Sequence, residues 1–128
     1  MAKLNAGELR AFYADYVDAW NRRDLETYFS LYAEDLTFRD GPTVLHGLES
    51  LRTRYEAELR EHPDLTMECV RLFVDPDTQS IAAENIERAT GIELRGALFL
   101  TLNPAGQISE IAEYLTDGDP IDPKTESS

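Results

Sequence analysis

The stretch YVDAWNRRDLETYFSLYAEDLTFRD, residues 16–40, decides how the chain folds. Its beginning belongs to an aromatic helix, because apolar side chains recur at three- and four-residue intervals over residues 6–21. Asp24 stands where the N-cap of a new helix belongs, since its carboxylate can accept from free backbone amides. This second helix should be short and end near Ala33. The sequence therefore predicts two consecutive helices at its start.

The end of the same stretch predicts a short strand, residues 36–39, that closes on Asp40. The run Asp-Gly-Pro at residues 40–42 predicts a loop, because proline cannot donate to a strand ladder and glycine adopts unusual backbone angles. A third amphipathic helix is predicted over residues 48–60. We expect Tyr16, on the first helix, and Asp40 to face one apolar pocket.

The remainder of the sequence predicts four strands joined as antiparallel hairpins. Clusters of turn residues, Asp-Pro-Asp, Thr-Gly and Asn-Pro-Ala-Gly, separate these strands. The predicted strands cover residues 66–74, 80–89, 92–102 and 107–116.

Alternation of side chains along a strand distinguishes its two faces. The strand at residues 92–102 has one apolar face, made by Ile92, Leu94, Leu98, Leu100 and Leu102. The strand at residues 80–89 leaves two alternatives open. Neither its face with Asn85 and Glu87 nor its face with Glu84 and Arg88 is cleanly apolar.

Three helices combined with these strands predict an α+β fold, in which a curved antiparallel sheet packs against three N-terminal helices. A curved sheet covered by helices leaves a cavity between the layers, where a ligand could bind. A chain of 128 residues has the size of one domain. We expect this single domain to span residues 1–117 and residues 118–128 to form a flexible tail.

The composition excludes several classes of function. The chain has 25 acidic and 12 basic residues, and its net charge of −13 opposes binding to nucleic acid or to an anionic membrane surface. Its single cysteine, Cys69, excludes an intramolecular disulfide and a thiolate-rich metal site. We expect neither a metal nor a cofactor. The lack of a signal peptide or a long apolar segment predicts a cytoplasmic location.

Carboxyl groups and a tyrosine are the remaining candidates for chemistry. A carboxyl group in an apolar pocket has a raised pKa and can transfer a proton near neutral pH. A buried tyrosine hydroxyl can donate to a developing oxyanion. Asp40 and Tyr16 could act in this way together. The alternative is that Tyr16 is a core aromatic residue and Asp40 only the first residue of a turn.

Three segments of the sequence carry a resemblance to a known family. They are YVDAWNRRDLETYFSLYAEDLTFRDGP, LHGLESLRTRYEAEL and HPDLTMECV. Over about residues 9–117 the chain resembles the SnoaL-like group of the nuclear transport factor 2-like superfamily. That superfamily includes polyketide cyclases, steroid Δ-isomerases and limonene-epoxide-type hydrolases. The resemblance implies a cone-shaped fold and a homodimer formed through the outer face of the sheet, with Arg95, Ala97, Phe99 and Thr101 at the interface.

The resemblance to ketosteroid isomerases assigns roles to two residues. Tyr16 corresponds to their oxyanion-hole tyrosine and Asp40 to their general base. Leu98 stands where these enzymes carry a second, protonated aspartate, so one oxyanion donor is missing.

The resemblance to the epoxide hydrolases points to other residues. Glu87 and Glu113 correspond to their two catalytic acids, whereas Asn85 replaces the arginine that bridges those acids. Phe38 and Asp40 stand at the tyrosine and asparagine that help to hold water.

These comparisons predict one set of polar residues around a single cavity. The predicted catalytic residues are Asp40, Tyr16, Glu113 and Glu87, and the predicted substrate-binding residues are Trp20, Phe38, Asn85 and Leu98. We expect a cofactor-independent isomerase or cyclase-like lyase that acts by acid–base catalysis on a small hydrophobic carbonyl compound, polyketide- or steroid-like. The alternatives are a pocket that binds a hydrophobic metabolite without catalysis, a homodimeric interaction module with a filled cavity, and an epoxide-hydrolase-like addition of water.

Overall fold

The computed structural model describes residues 3–117, so the predicted tail at residues 118–128 lies outside the described residues. The described chain forms three helices and six strands. In chain order these are α1 Ala6–Asn21, α2 Leu25–Ser30, β1 Tyr32–Asp40, β2 Thr43–His46, α3 Leu48–Glu61, β3 Thr66–Asp75, β4 Ser80–Ala89, β5 Ile92–Leu102 and β6 Ile108–Asp117.

The six strands form one sheet in the order β2-β1-β6-β5-β4-β3. Neighbouring strands run antiparallel except β1 and β6, which are parallel. The sheet curves around the helices, which pack against its inner face. The predicted α+β class and the cone-shaped arrangement are therefore confirmed. None of the helices within residues 3–117 is long and apolar enough to cross a membrane.

Two predictions for the region after α1 were wrong. The second helix ends at Ser30 rather than near Ala33, and β1 already begins at Tyr32 because that residue pairs with Ile108 of β6. The sequence also did not predict β2. Gly41, with φ of 57°, and Pro42 form a tight turn, so Asp40 pairs directly with Thr43 and the chain returns as an edge strand. Proline lies in the turn itself, where no ladder donor is needed.

Helix α1 spans Ala6–Asn21, the range that its apolar spacing predicted, and Asn5 is its N-cap. The side chain of Asn5 accepts from the backbone of Glu8, whose side chain returns the hydrogen bond in a capping box. At the other end, the Asn21 side chain donates to the carbonyl of Met67 and accepts from its amide, both at 2.9 Å. Asn21 thus provides hydrogen-bond partners for both backbone groups of Met67 on the edge strand β3. These two bonds hold α1 against that strand.

The structure settles which faces of the strands point inward. On β5, Leu98, Leu100 and Leu102 are buried, which confirms the predicted apolar face. On β4, the ambiguity is resolved in favour of the face that carries Asn85 and Glu87, because Asn85 is fully buried against the helices. Two polar residues of β4 therefore point into the interior of the cone.

Candidate active site

Two connected spaces lie inside the cone, and carboxyl groups line both. The outer one, called here the mouth cavity, has a volume of about 260 Å³. Its walls are Asp40, Glu58, Glu61, His62, Leu65, Glu87, Ile92, Leu94, Glu113 and Leu115. The inner one, called here the deep cavity, has a volume of only about 10 Å³. Its walls are Tyr16, Trp20, Tyr28, Tyr55, Glu58, Met67, Glu87, Leu98 and Glu113.

Tyrosine side chains fill most of the interior and leave the deep cavity small. The hydroxyl groups of Tyr16, Tyr28 and Tyr32 form a closed triangle. Its sides are 2.8 Å from Tyr16 to Tyr32, 2.9 Å from Tyr28 to Tyr16 and 2.7 Å from Tyr28 to Tyr32. Each hydroxyl can donate once and accept once around this ring, so all three polar groups are satisfied although they are buried.

Glu113 is one of the carboxyl groups that line both spaces. It lies on β6, only 8% of its surface is exposed, and the Tyr55 hydroxyl donates to its Oε1. Burial raises the pKa of Glu113 to about 7, against the opposing effect of the Tyr55 hydrogen bond. Near neutral pH this carboxyl group is therefore present in both protonation states.

A second carboxyl group, Glu87 of β4, lines the same two spaces. Burial, followed by the negative charges of Glu113 and Glu58, raises the pKa of Glu87 to about 8. Most Glu87 side chains thus carry a proton at neutral pH. The pKa of Glu58 on α3 is also raised by burial, and the positive charge of Arg54 opposes that shift. The site combines a proton acceptor and a proton donor at one opening.

Asp40 lies in the mouth cavity and forms an ion pair. Its Oδ2 is 2.6 Å from Nη2 of Arg54, and about one third of each side chain is exposed. The Arg54 guanidinium lies 5.1 Å from the ring centre of Phe38, where a cation–π contact helps to hold it. Asp40 is therefore engaged by a cation, whereas Glu113 and Glu87 are not.

The structure brings together five of the eight predicted site residues around the deep cavity. These are Tyr16, Trp20, Glu87, Leu98 and Glu113. Asp40 lines only the mouth cavity, so Asp40 and Tyr16 do not share the single pocket that we expected.

The two other predicted residues lie behind the walls. Phe38 is fully buried and packs edge-on against the ring of Tyr55. Asn85 is also fully buried and donates to the hydroxyl of Tyr13, whereas its Oδ1 has no partner among the described residues. Neither side chain lines the mouth cavity or the deep cavity.

Sequence reasoning missed several residues of the site. Tyr28 and Tyr55 follow the apolar spacing of the predicted helices, and this periodicity indicates burial but not which group a hydroxyl contacts. Arg54 and Glu58 have the i,i+4 spacing of a helical charge pair, which is usual on a solvated face. No local signal in the sequence identifies these residues, because adjacent residues on a helix do not face the same side.

A larger concave space lies elsewhere and offers less chemistry. It has a volume of about 370 Å³ and is bordered by the turns after β3 and β5, including Gln79, Asn103 and Pro104. Among the described residues, Asp77 is the one carboxyl group in its lining, so this space offers no pair of acids. Within residues 3–117 there is also no cluster of three or more histidine, cysteine or acidic side chains suited to a metal ion. The paired carboxyl groups of the cone are therefore the candidate active site.

Comparison with known proteins identifies the class of this fold. The sequence profile of the SnoaL-like domain matches residues 13–111, which is more than half of the chain. The protein therefore belongs to the SnoaL-like domain family. No curated protein matches the sequence.

Solved structures with the same fold carry several names. A SnoaL-like protein of unknown function from Burkholderia thailandensis is 19% identical, with a TM-score of 0.76, and the match covers 92% of this chain and 100% of that one. A putative ketosteroid isomerase from Kribbella flavida is 24% identical, with a TM-score of 0.70 and coverage of 93% and 85%. A putative polyketide cyclase from Sinorhizobium meliloti is 16% identical, with a TM-score of 0.70 and coverage of 88% and 100%. At these identities the likeness establishes the fold alone.

Proposed function

We propose that the protein is a cofactor-independent isomerase or cyclase that moves a proton next to the carbonyl group of a small substrate. The observation that carries this proposal is that Glu113 and Glu87, with pKa values raised to about 7 and about 8, line one cavity. A general base works best when its pKa is close to the working pH. The names of the putative ketosteroid isomerase and polyketide cyclase relatives agree with this class of chemistry.

In this mechanism the ionised Glu113 removes a proton from the carbon next to the carbonyl group. The electron pair of the broken C–H bond forms the C=C bond of an enolate, and the carbonyl oxygen becomes negative. Protonated Glu87 donates a hydrogen bond to that oxygen and stabilises its charge. Glu113 then returns its proton to another carbon of the same substrate. No electrons leave the substrate, so the reaction needs no redox cofactor.

Glu113 is a better candidate for this base than Asp40, to which the resemblance assigned the role. The Arg54 guanidinium already binds the Asp40 carboxylate at 2.6 Å, so this carboxylate is less free to approach a carbon atom of the substrate. The hydroxyl of Tyr16, which we expected to act as the oxyanion donor, is engaged with Tyr28 and Tyr32. We infer that Tyr16 supports the floor of the cavity and that Asp40 lies at its rim.

The dimensions of the site restrict the substrate. A pocket for a drug-sized ligand usually has a volume of about 300–1,000 Å³. The mouth cavity, at about 260 Å³, is smaller, and the tyrosines occupy the space beneath it. Apolar side chains such as Leu65, Ile92 and Leu94 form part of its wall. We therefore expect a neutral carbonyl compound with one ring or two, rather than a four-ring steroid.

Solvent hydrogen exchange tests the proposal across a panel of substrates. Small cyclic ketones are incubated with the protein in D₂O, and NMR follows deuterium entering at the carbon next to the carbonyl group. We expect catalysed exchange that falls by about 10²–10⁴-fold in Glu113→Gln and much less in Asp40→Asn. Glu110→Gln, on the exposed side of the same strand, is the matched control. Equal loss in the Glu113 and Glu110 variants, or exchange no faster than in buffer, would contradict the proposal.

A second candidate, addition of water to an epoxide, is favoured by the size of the deep cavity. A volume of about 10 Å³ is close to the space of one water molecule, and Glu58, Glu87 and Glu113 border it. Incorporation of ¹⁸O from labelled water into a diol product would establish this reaction. A bound ligand recovered unchanged after long incubation, with neither exchange nor ¹⁸O, would instead identify a binding protein.

We also propose that the protein is located in the cytoplasm.

A further inference from the structure

We propose that Arg54 is a positioning residue that binds Asp40, the neighbour of Glu113, and offsets the negative charge of Asp40, so that Glu113 stays available as the base. The inference deepens the proposed function and rests on it, because Glu113 is the base of that mechanism. Arg54 itself lines neither cavity, but it contacts Asp40, which lines the mouth cavity.

The geometry of the sheet creates a conflict between two negative charges. Asp40 and Glu113 are Cα partners in the parallel pair of β1 and β6, and both side chains line the mouth cavity. Two carboxyl groups placed side by side at a poorly solvated site do not both ionise easily. Without a further charge, the negative charge of Asp40 would oppose the ionisation of Glu113.

Arg54 breaks this symmetry because it binds only one member of the pair. Its Nη2 lies 2.6 Å from Asp40, and the ring of Phe38 supports the guanidinium at 5.1 Å. Its Nε is buried and has no hydrogen-bond partner among the described residues. The Glu113 carboxyl group instead receives the neutral hydroxyl of Tyr55. The positive charge of Arg54 therefore offsets the negative charge that Asp40 places beside Glu113.

No other cation within the described chain can take over this role. The titratable and charged groups around Glu113 are Tyr16 of α1, Tyr32 and Asp40 of β1, Arg54, Tyr55 and Glu58 of α3, and Glu87 of β4. Among them Arg54 alone is positive. His62 and Glu61 add one weak base and one acid at the mouth. Arg54 lowers the pKa of Glu113, whereas Glu58 and Asp40 raise it.

Carboxyl-carbon NMR on protein labelled at glutamate and aspartate side chains tests the inference without any substrate. We expect Arg54→Gln to move the titration midpoint of Glu113 upward by about one pH unit, because a positive charge is lost. Asp40→Asn should move it downward, because a negative charge is lost and Arg54 is released. Arg54→Lys keeps the charge and should leave the midpoint within about 0.3 of the wild-type value.

These opposite directions separate a charge effect from a loosened fold. Loosening would move the midpoint alike in Arg54→Gln, Arg54→Lys and Asp40→Asn, and that result would overturn the inference. An unchanged midpoint in Arg54→Gln would overturn it as well. Because the titration needs no substrate, the expected pattern can be found in a protein that shows no hydrogen exchange, so failure of the proposed function and failure of this inference are distinguishable.

Discussion

Asp40 and Glu113 lie side by side on the two parallel strands of the sheet, and only Asp40 is paired with a cation. The pairing of β1 with β6 therefore places two acids side by side in different surroundings. Asp40 is bound by Arg54 at the rim, whereas Glu113 is buried next to a tyrosine hydroxyl. The register therefore places a carboxyl group suited to proton transfer near neutral pH next to a carboxylate that a cation holds.

The raised pKa values of Glu113 and Glu87 predict an unusual dependence of stability on pH. Both groups have an ordinary value of 4.5 and titrate at about 7 and about 8 in the folded protein. Between the ordinary value of 4.5 and the raised values, the folded state binds more protons than the unfolded state. The free energy of unfolding is therefore greatest on the acidic side of this range and decreases as pH rises. The free energy of unfolding should fall by up to about 1.4 kcal/mol per pH unit for each group.

Urea denaturation at several pH values between about 5 and 8 measures this slope. The double variant Glu87→Gln/Glu113→Gln should show a much flatter profile, because neither amide titrates. Glu110→Gln should retain the wild-type slope, since its side chain is exposed. A wild-type stability that rises with pH over this range would contradict the burial of these two charges.

The local parts of the fold could be predicted from the sequence, and the pairing between distant parts could not. Asn5, Asp24 and the apolar spacing of α1 are local signals, and the structure confirms both helix starts. The parallel pairing of β1 with β6 joins segments from the two ends of the chain. No local pattern specifies such a register. The edge strand β2 was missed because its turn contains a proline, which usually interrupts a ladder.

In the candidate site, too, some residues could be predicted from the sequence and others depend on contacts between distant parts of the chain. Glu87 and Glu113 were found by resemblance, and the structure places both at one cavity. Arg54 and Tyr55 were not found, because their contacts with Asp40 and Glu113 arise only when α3 packs over β1 and β6. Helical periodicity assigns Tyr55 to the core but cannot say that its hydroxyl will meet a carboxyl group.

Removal of one hydroxyl from the tyrosine triangle should destabilise the protein. Tyr28→Phe leaves the ring in place but deletes hydrogen bonds of 2.9 Å and 2.7 Å to Tyr16 and Tyr32. The two remaining hydroxyl groups are then buried with one partner each. We expect a loss of about 1–3 kcal/mol in the free energy of unfolding. Tyr114→Phe, at an exposed position, should change it by less than about 0.5 kcal/mol, and equal effects in the two variants would rule out a contribution from the triangle.

Gly96 allows β5 and β6 to approach each other closely, so a side chain there should be strongly destabilising. A Cβ atom at this position would lie 1.7 Å from the backbone oxygen of Tyr114 and 2.9 Å from the Cα of Leu115. Both contacts are with backbone, so β6 itself would have to move. We expect Gly96→Ala to lower the free energy of unfolding by about 3 kcal/mol.

Gly7→Ala is the matched control for this substitution. Its Cβ would lie 3.5 Å from the nearest atom, in the first turn of α1, where alanine favours the helix. This variant should be as stable as the wild type or slightly more stable in urea denaturation. Similar midpoints for the two variants would contradict the close approach of the strands.

We propose that the outer face of the sheet forms a homodimer, and this face carries an exposed aromatic cluster. Phe73, Phe99 and Tyr114 are about half exposed, and Phe99 packs edge-on against Tyr114 at 5.8 Å between ring centres. A groove of about 320 Å³ between Phe73 and Phe99 continues this apolar surface. A second copy of the chain offers the same apolar face, so the two faces can cover each other in a symmetric dimer.

Sedimentation velocity over a range of concentrations tests the dimer. The wild type should sediment as a dimer, and Phe99→Glu should sediment as a monomer, because a carboxylate would be buried without a partner at the interface. Val44→Glu places the same charge on the edge strand β2, at a side chain that is similarly exposed, and should leave the dimer intact. If Val44→Glu dissociates the dimer and Phe99→Glu does not, the interface lies at the sheet edge, where β2 of two copies could pair through their free backbone groups.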